Sequence, residues 1–156
     1  MKNSQPLSLE KAKEYCFLLL KFRPRSTHEL YSRLKKKEFS EAIIKEVIAF
    51  LREKKFIDDA SFARQWVIWR LKKPYGFKKI AQELREKGID KDIIESAVEE
   101  AKDNFCEEEI VLALAQKKLG QLRDVDKDKR KNRLYGYLLR RGFSPQTVIK
   151  VIKGIE

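Results

Sequence analysis

Lysine and arginine side chains gather in four clusters along the chain, and the chemistry open to them is the binding of anions. The clusters fall at the ends of predicted helices, where cations also stabilise the helix dipole, so part of the pattern requires no ligand. The cluster at 127–133 exceeds that requirement, with five positive charges in seven residues. Tyr135 and Tyr137 beside it could stack against a partner, and Trp69 and Tyr75 are weaker candidates for exposed aromatic contacts. The candidate residues for binding a partner or DNA are Arg23, Arg25, Lys35, Lys36, Lys37, Lys72, Lys73, Lys78, Lys79, Lys127, Lys129, Arg130, Lys131, Arg133, Arg140 and Arg141.

The rest of the sequence offers no catalytic constellation. His28, the single histidine, lies in RSTHEL, where Ser26 and Glu29 have the spacing of a capping box, so we expect His28 to be exposed and inert. Motifs typical of zinc hydrolases, nucleotide-binding loops and serine hydrolases do not occur in the sequence. We therefore expect no enzymatic activity, no metal site and no cofactor.

The cysteines and a pair of adjacent aspartates have structural interpretations. Cys16 and Cys106 stand within amphipathic patterns without nearby ligand residues, and they are predicted to be small buried apolar side chains. Asp58 and Asp59 could bind a metal only with further ligands, and helix capping is the favoured interpretation.

The positive charge is unevenly distributed. The chain carries 36 Lys and Arg against 24 Asp and Glu, a net charge of +12. Counting the ionisable residues gives +7 for residues 1–57, 0 for residues 58–104 and +5 for residues 105–156. Such a field favours a polyanion such as nucleic acid, or an acidic protein surface, as the partner. The alternative is a lysine-rich surface that only keeps the protein soluble.

The sequence contains an internal repeat of helical periodicity. Apolar residues recur at spacings of three and four, and the segment beginning at Arg25 aligns with a second copy 50 residues later and a third 54 residues beyond that. No polar residue occurs at the aligned apolar positions. These positions are Leu30, Leu34, Phe39, Ile44, Val47, Ile48 and Leu51, then Ile80, Leu84, Ile89, Ile94, Ala97, Val98 and Ala101, then Leu134, Leu138, Phe143, Val148, Val151, Ile152 and Ile155.

Turn residues recur at the same places in the copies. Ser40, Asp90 and Ser144 are predicted N-caps, and Gly88 and Gly142 stand where a left-handed residue ends the preceding helix. The first copy has glutamate at this glycine position. With one further helix before each pair, the sequence predicts an all-α fold of nine helices in three tandem three-helix repeats, 1–57, 58–104 and 105–156, forming an elongated, curved rod.

Four segments together resemble the bacterial recombination regulator RecX. They are LLLKFRPRSTHELYSRLKKK, FIDDASFARQWV, GFKKIAQELREKGID and LLRRGFSPQTVIKVI, and they occur in the expected order over almost the whole chain. The resemblance implies three tandem three-helix repeats. It also implies binding to the RecA recombinase and to the RecA–DNA filament, with inhibition of the ATPase, strand-exchange and coprotease activities of RecA.

A second hypothesis is a DNA-binding protein that acts alone, because three-helix units with a short turn resemble helix-turn-helix proteins. The candidate recognition helices have few Arg, Asn or Gln side chains, which argues against specific readout and leaves non-specific contact. On either hypothesis we expect a monomer. The sequence shows neither a signal peptide nor a membrane-spanning segment, so we expect a cytoplasmic protein.

Overall fold

Nine α-helices and no strand make up residues 7–155, the part of the chain that the computed structural model describes. Three consecutive helices form each repeat, so the all-α prediction is confirmed. The helices are α1 (Leu9–Phe22), α2 (Thr27–Lys36) and α3 (Glu41–Glu53) in the first repeat, α4 (Asp59–Leu71), α5 (Phe77–Glu86) and α6 (Lys91–Lys102) in the second, and α7 (Glu107–Gly120), α8 (Lys127–Arg140) and α9 (Pro145–Gly154) in the third.

The helices begin at the predicted capping residues. Ser40, Asp90 and Ser144 each accept a hydrogen bond from a backbone N–H group in the first turn of the helix that follows. Ser26 and Glu29 form both halves of the predicted capping box at the start of α2. Each cap satisfies backbone donors that have no partner within the helix, which stabilises the helix by about 1 kcal/mol.

The turn before the last helix of each repeat has the left-handed backbone that the sequence predicts. The φ angles are 72° at Gly88 and 89° at Gly142, and Glu38 adopts the same conformation at 63°. A glutamate in this conformation costs about 1 kcal/mol relative to glycine.

Each repeat has its own apolar core. Of the aligned apolar positions, Val98, Ile152 and Ile155 are half-buried and all the others are buried. The first helix of each repeat completes the core with Cys16, Val67 or Val111, none of which is exposed at all. Burial of each large apolar side chain contributes about 2 kcal/mol, so the three small cores account for most of the folding free energy.

The prediction that both cysteines are buried is confirmed for Cys16 and wrong for Cys106. Cys16 is buried, and desolvation raises the pKa of its thiol to about 11. Cys106 is exposed. It precedes α7 as the N-cap residue, and therefore lies before the amphipathic stripe instead of within it.

The repeats follow one another in series. The protein exposes 10513 Å² of surface, whereas a compact monomer of 18.5 kDa exposes about 8,200 Å². Three small cores in a row explain the excess, since a row shares less surface between its members than one large core. Among the helices that the structure describes, none is long and apolar enough to cross a membrane.

Candidate anion-binding interface at the repeat joints

Consecutive repeats meet at two equivalent joints. In each joint the start of the second helix of one repeat packs on the turn that follows the second helix of the next repeat. The first joint places residues 26–29 on Lys87 and Gly88, and the second places residues 76–79 on Arg141 and Gly142. The equivalence follows from the repeat itself, since residues 26–29 align with residues 76–79.

The first joint is held by hydrogen bonds at the start of α2. The hydroxyl of Ser26 donates to the carbonyl oxygen of Lys87 at 2.7 Å, and the backbone N–H of Thr27 donates to Oδ1 of Asp59 at 2.8 Å. Ser26 is the only buried polar residue of the described part of the chain, and this bond, together with the capping box, satisfies its hydroxyl.

A carboxylate bridges the two sides of the first joint. Glu29 accepts two bonds from the guanidinium of Arg23, at 2.9 and 3.2 Å, and one from Nζ of Lys87, at 3.1 Å. Burial raises the pKa of Glu29, but the bonds from Arg23, from the backbone N–H of Ser26 and from Lys87 outweigh it and hold the pKa at about 2. A single carboxylate thus forms ion pairs with two cations on different repeats.

We expect Glu29→Gln to lower the free energy of unfolding by about 2 kcal/mol at neutral pH. Glutamine can still complete the capping box, so the change removes mainly the charge. Because the folded pKa of Glu29 lies below its ordinary value of 4.5, its contribution is complete above that pH and is lost as the pH falls towards 2. Urea denaturation of both proteins between roughly pH 7 and pH 3, where most of this contribution is lost, measures the difference.

Glu46→Gln is the matched control, because Glu46 is exposed on α3. Its effect should stay within about 0.5 kcal/mol at every pH. An equal loss in both variants, or a loss for Glu29→Gln that does not shrink in acid, would contradict the bridging role.

The second joint brings two backbones into direct contact. The N–H of Gly76 donates to the carbonyl oxygen of Arg141 at 2.8 Å, and the N–H of Lys78 donates to that of Gly142 at 3.2 Å. A Cβ atom built on Gly76 would lie 2.3 Å from the carbonyl carbon of Gly142, so only glycine fits this approach.

Cations surround one tyrosine ring at the second joint. The distance to the ring centroid of Tyr75 is 3.9 Å from Cζ of Arg70, 4.6 Å from Cζ of Arg141 and 4.6 Å from Nζ of Lys79. Lys73 lies beside them, and its carbonyl oxygen is 3.5 Å from a guanidinium nitrogen of Arg141. These contacts are cation–π interactions, which favour the charged side chains at this place. We call Lys73, Tyr75, Lys79 and Arg141 the second-joint cluster.

Aromatic side chains extend this surface along α4. Trp69 is 47% exposed, and Nζ of Lys73 lies 5.2 Å from its ring centroid. Trp66 is half-buried, and its Nε1 donates a hydrogen bond to Glu83 at 3.0 Å. Trp66 therefore packs against the core of the second repeat, with its polar N–H group paired. Tyr75 is half-buried, so it is less accessible than Trp69.

The structure therefore brings Lys73 and Lys79 of one sequence cluster together with Arg141 of another. The other candidates lie outside the second-joint cluster. Arg23 pairs with Glu29, and Lys35 pairs with Glu41 at 2.5 Å. Arg25 is half-buried, and burial followed by the nearby charge of Arg23 lowers its pKa. Besides Arg23, Lys35 and Lys73, the exposed candidates are Lys36, Lys37, Lys72, Lys78, Lys127, Lys129, Arg133 and Arg140, while Arg130 and Lys131 are half-buried at the start of α8.

Arg70 is the residue of this surface that the sequence does not reveal. Its spacing on α4 assigns it to the apolar stripe, yet its guanidinium covers Tyr75 and forms an ion pair with Glu83. The aligned position of the first repeat is Leu20, so a comparison of charge between the repeats would have singled it out.

Comparison with known proteins agrees with this architecture. Family models for the first, second and third three-helix domains of RecX match residues 12–51, 58–98 and 107–152. The Regulatory protein RecX of Streptomyces coelicolor is 35% identical over 93% of this chain and 77% of its own length. That of Amycolatopsis mediterranei is 36% identical over 92% of this chain and 82% of its own length.

Solved structures show the same fold. The crystal structure of RecX from Lactobacillus salivarius superposes with a TM-score of 0.81 over 94% of this chain and 95% of that one, at 24% identity. A second crystal structure of regulatory protein RecX gives a TM-score of 0.80 at 25% identity, covering 94% of this chain and 71% of that one. The three domain matches in order and the identity over most of both chains lead to one conclusion: the chain belongs to the RecX family of regulatory proteins.

Proposed function

We propose that this protein binds the RecA recombinase assembled on DNA and restrains its ATPase, strand-exchange and coprotease activities in the cytoplasm, without catalysing a reaction itself. Membership of a family named for regulation supports a partner-directed role. The observation that carries the proposal is the series of repeats with cationic joints, because a row of repeats can contact several subunits of a filament at once.

The proposed mechanism is a wedge in the groove of the filament. Each helix of 10 to 14 residues is about 15–20 Å long. A row of three repeats is therefore several helix lengths in extent, and it can contact more than one subunit of a filament. Contacts at several points give avidity even where each contact is weak. A protein held in this way opposes the motions between subunits that ATP turnover needs, and it occupies the groove that duplex DNA must enter.

We expect addition of this protein to lower the rate of ATP hydrolysis by RecA on single-stranded DNA. The effect should grow with the ratio of this protein to RecA, since each molecule restrains a few subunits. A coupled assay of ADP release with and without the protein makes the measurement.

The protein alone, incubated with ATP and DNA, is the control for a catalytic activity of its own. An unchanged RecA rate at low salt and several-fold molar excess would contradict the proposed function. ATP hydrolysis in the absence of RecA would contradict the non-catalytic part of it.

The exposed cations at the start of α8 favour DNA contact as a second candidate function. Lys127, Lys129 and Arg133 all point into solvent on one short segment, as non-specific phosphate contacts require. Binding through phosphates alone should weaken steeply with salt and equally for every DNA sequence. Recognition of the filament should instead require RecA and depend less on salt.

A further inference from the structure

The two joints share one backbone arrangement but differ in the charge of the residue at the position of Glu29. In the first joint Glu29 lies between its two cations, Arg23 and Lys87. The aligned residues of the second joint are Lys79, Lys73 and Arg141, in the same order. A carboxylate between two cations is thus replaced by a third cation.

No carboxylate of the described residues neutralises this excess charge. Glu83 forms its ion pair with Arg70, and Lys73, Lys79 and Arg141 have no carboxylate within ion-pair distance in residues 7–155. Lys79 and Arg141 are also half-buried, so water screens their mutual repulsion less than it screens exposed lysines. An anion placed between them relieves that repulsion.

We propose that the second-joint cluster binds a side-chain carboxylate of a protein partner, as the first joint binds the carboxylate of Glu29. The partner's identity rests on the proposed function, but the chemistry of the site does not. The first joint is the internal template, since it shows that this backbone arrangement holds a carboxylate with one guanidinium and one ammonium group.

Donors for the carboxylate remain available at the second joint. The guanidinium of Arg141 has five N–H groups, of which three are directed at the hydroxyl of Tyr137 and the carbonyl oxygen of Lys73. Two therefore remain. The ammonium of Lys79 makes no hydrogen bond to a described residue and faces the ring of Tyr75. A guanidinium and an ammonium group on opposite sides of the joint reproduce the donor set of the first joint.

The surroundings favour a protein over a nucleic acid. An apolar hollow of about 280 Å³ is lined by Arg23 and Pro24 of the first repeat and by Phe62, Gln65, Trp66 and Trp69 of α4. Trp69 connects the hollow to the second-joint cluster, because Nζ of Lys73 lies 5.2 Å from its ring centroid. An acidic side chain followed by an apolar one fits this pair of features. A sugar–phosphate backbone would instead be met by exposed lysines, and Lys79 and Arg141 are half-buried.

Lys79→Glu tests the site, with a short polyglutamate peptide and an oligothymidylate of matched charge as probes. The new carboxylate should bridge Lys73 and Arg141 as Glu29 bridges its own partners, so the site becomes filled from within. We expect peptide binding, measured by calorimetry at low salt, to weaken at least about ten-fold. The midpoint of thermal unfolding should equal or exceed that of the unaltered protein.

Arg85→Glu is the matched control, because Arg85 is exposed on the same helix and the change in net charge is the same. It should alter peptide binding by no more than about two-fold. Lys79→Gln removes the cation without adding an acid, and it should weaken peptide binding as well. Three results would overturn the proposal: no saturable peptide binding, equal losses in Lys79→Glu and Arg85→Glu, or a selective loss of oligothymidylate binding instead of peptide binding.

The same variants separate this proposal from the proposed function. If the unaltered protein slows RecA and Lys79→Glu keeps both that effect and the peptide binding, the carboxylate site is overturned and the regulatory function stands. The opposite result is that the unaltered protein binds the peptide but leaves RecA unaffected, while Lys79→Glu and Lys79→Gln lose peptide binding. In that case the carboxylate site stands and the proposed function fails.

Discussion

Gly76→Ala should separate the second and third repeats while leaving each of their cores folded. We expect the free energy of unfolding to fall by about 3 kcal/mol. The restraint of RecA should weaken at least about ten-fold, because the contacts across the joint are displaced. Alanine suits the local backbone, since φ is −83° and ψ is 160° at Gly76. The whole effect therefore arises from the contact across the joint.

The clash at Gly76 cannot be relieved by a side-chain rotation. The added Cβ would lie 2.3 Å from both the carbonyl carbon and the oxygen of Gly142, and 2.4 Å from the nitrogen of Phe143. These are backbone atoms, so one helix has to move away by about 1 Å or more. That movement breaks the hydrogen bonds from Gly76 and Lys78 to the opposite turn and takes Arg141 away from Tyr75.

Hydrogen exchange measures this separation directly. The amides of Gly76 and Lys78 donate across the joint, so they should lose protection, whereas the amides of α5 from Ile80 onwards bond along the helix and should keep it. Gly120→Ala is the control, because nothing lies within 4 Å of a Cβ atom at Gly120. If the two joint amides of Gly76→Ala keep their protection and the variant restrains RecA as the unaltered protein does, the predicted separation of the two repeats is wrong.

Elements within a repeat could be predicted from the sequence because local physics determines them. The spacing of apolar residues selects the buried face of each helix, and short-range caps such as Ser40 and Asp90 mark the helix starts. Both signals act within a few residues. The helices, their starts and the buried positions therefore follow from single-sequence reasoning.

The joints could not be predicted, because they depend on contacts between distant residues. Nothing near Glu29 in the sequence indicates that Lys87 binds the same carboxylate as Arg23. Tyr75 and Arg141 are also far apart in the sequence, although they are in contact in the fold. The charge clusters of the sequence therefore combined residues of the second-joint cluster with exposed lysines such as Lys72. Charge can be seen in a sequence, whereas the place where charges converge requires the fold.

Glu38 shows how the fold explains a departure from the repeat. A Cβ atom at Gly88 would lie 2.3 Å from that of His28, and one at Gly142 would lie 2.3 Å from that of Lys79. Glycine is needed there for two reasons, the left-handed backbone and the neighbouring helix. Glu38 is exposed, so no neighbouring helix encloses its side chain in the way that His28 and Lys79 meet the two glycines. Only the cost of the left-handed backbone remains.

Phe143→Ala should lower the free energy of unfolding by about 3–5 kcal/mol, because it leaves a cavity in the apolar core of the third repeat. Phe143 is only 1% exposed and packs in a core with Leu134, Leu138 and Val148. The third repeat should unfold first, since each repeat depends mainly on its own core and its neighbour. With it Arg141 leaves the second-joint cluster, so peptide binding at the cluster should also be lost.

Denaturation followed by circular dichroism, with hydrogen exchange to locate the unfolded region, distinguishes this outcome from a global loss. Phe22→Ala is the matched control, since Phe22 is 76% exposed and its removal should change the free energy by no more than about 0.5 kcal/mol. If Phe143→Ala instead unfolds all three repeats in one transition, the joints couple the repeats more strongly than the separate cores imply. In that case the protein would meet its partner as one rigid body, and a filament groove would have to fit it without any hinge at the joints.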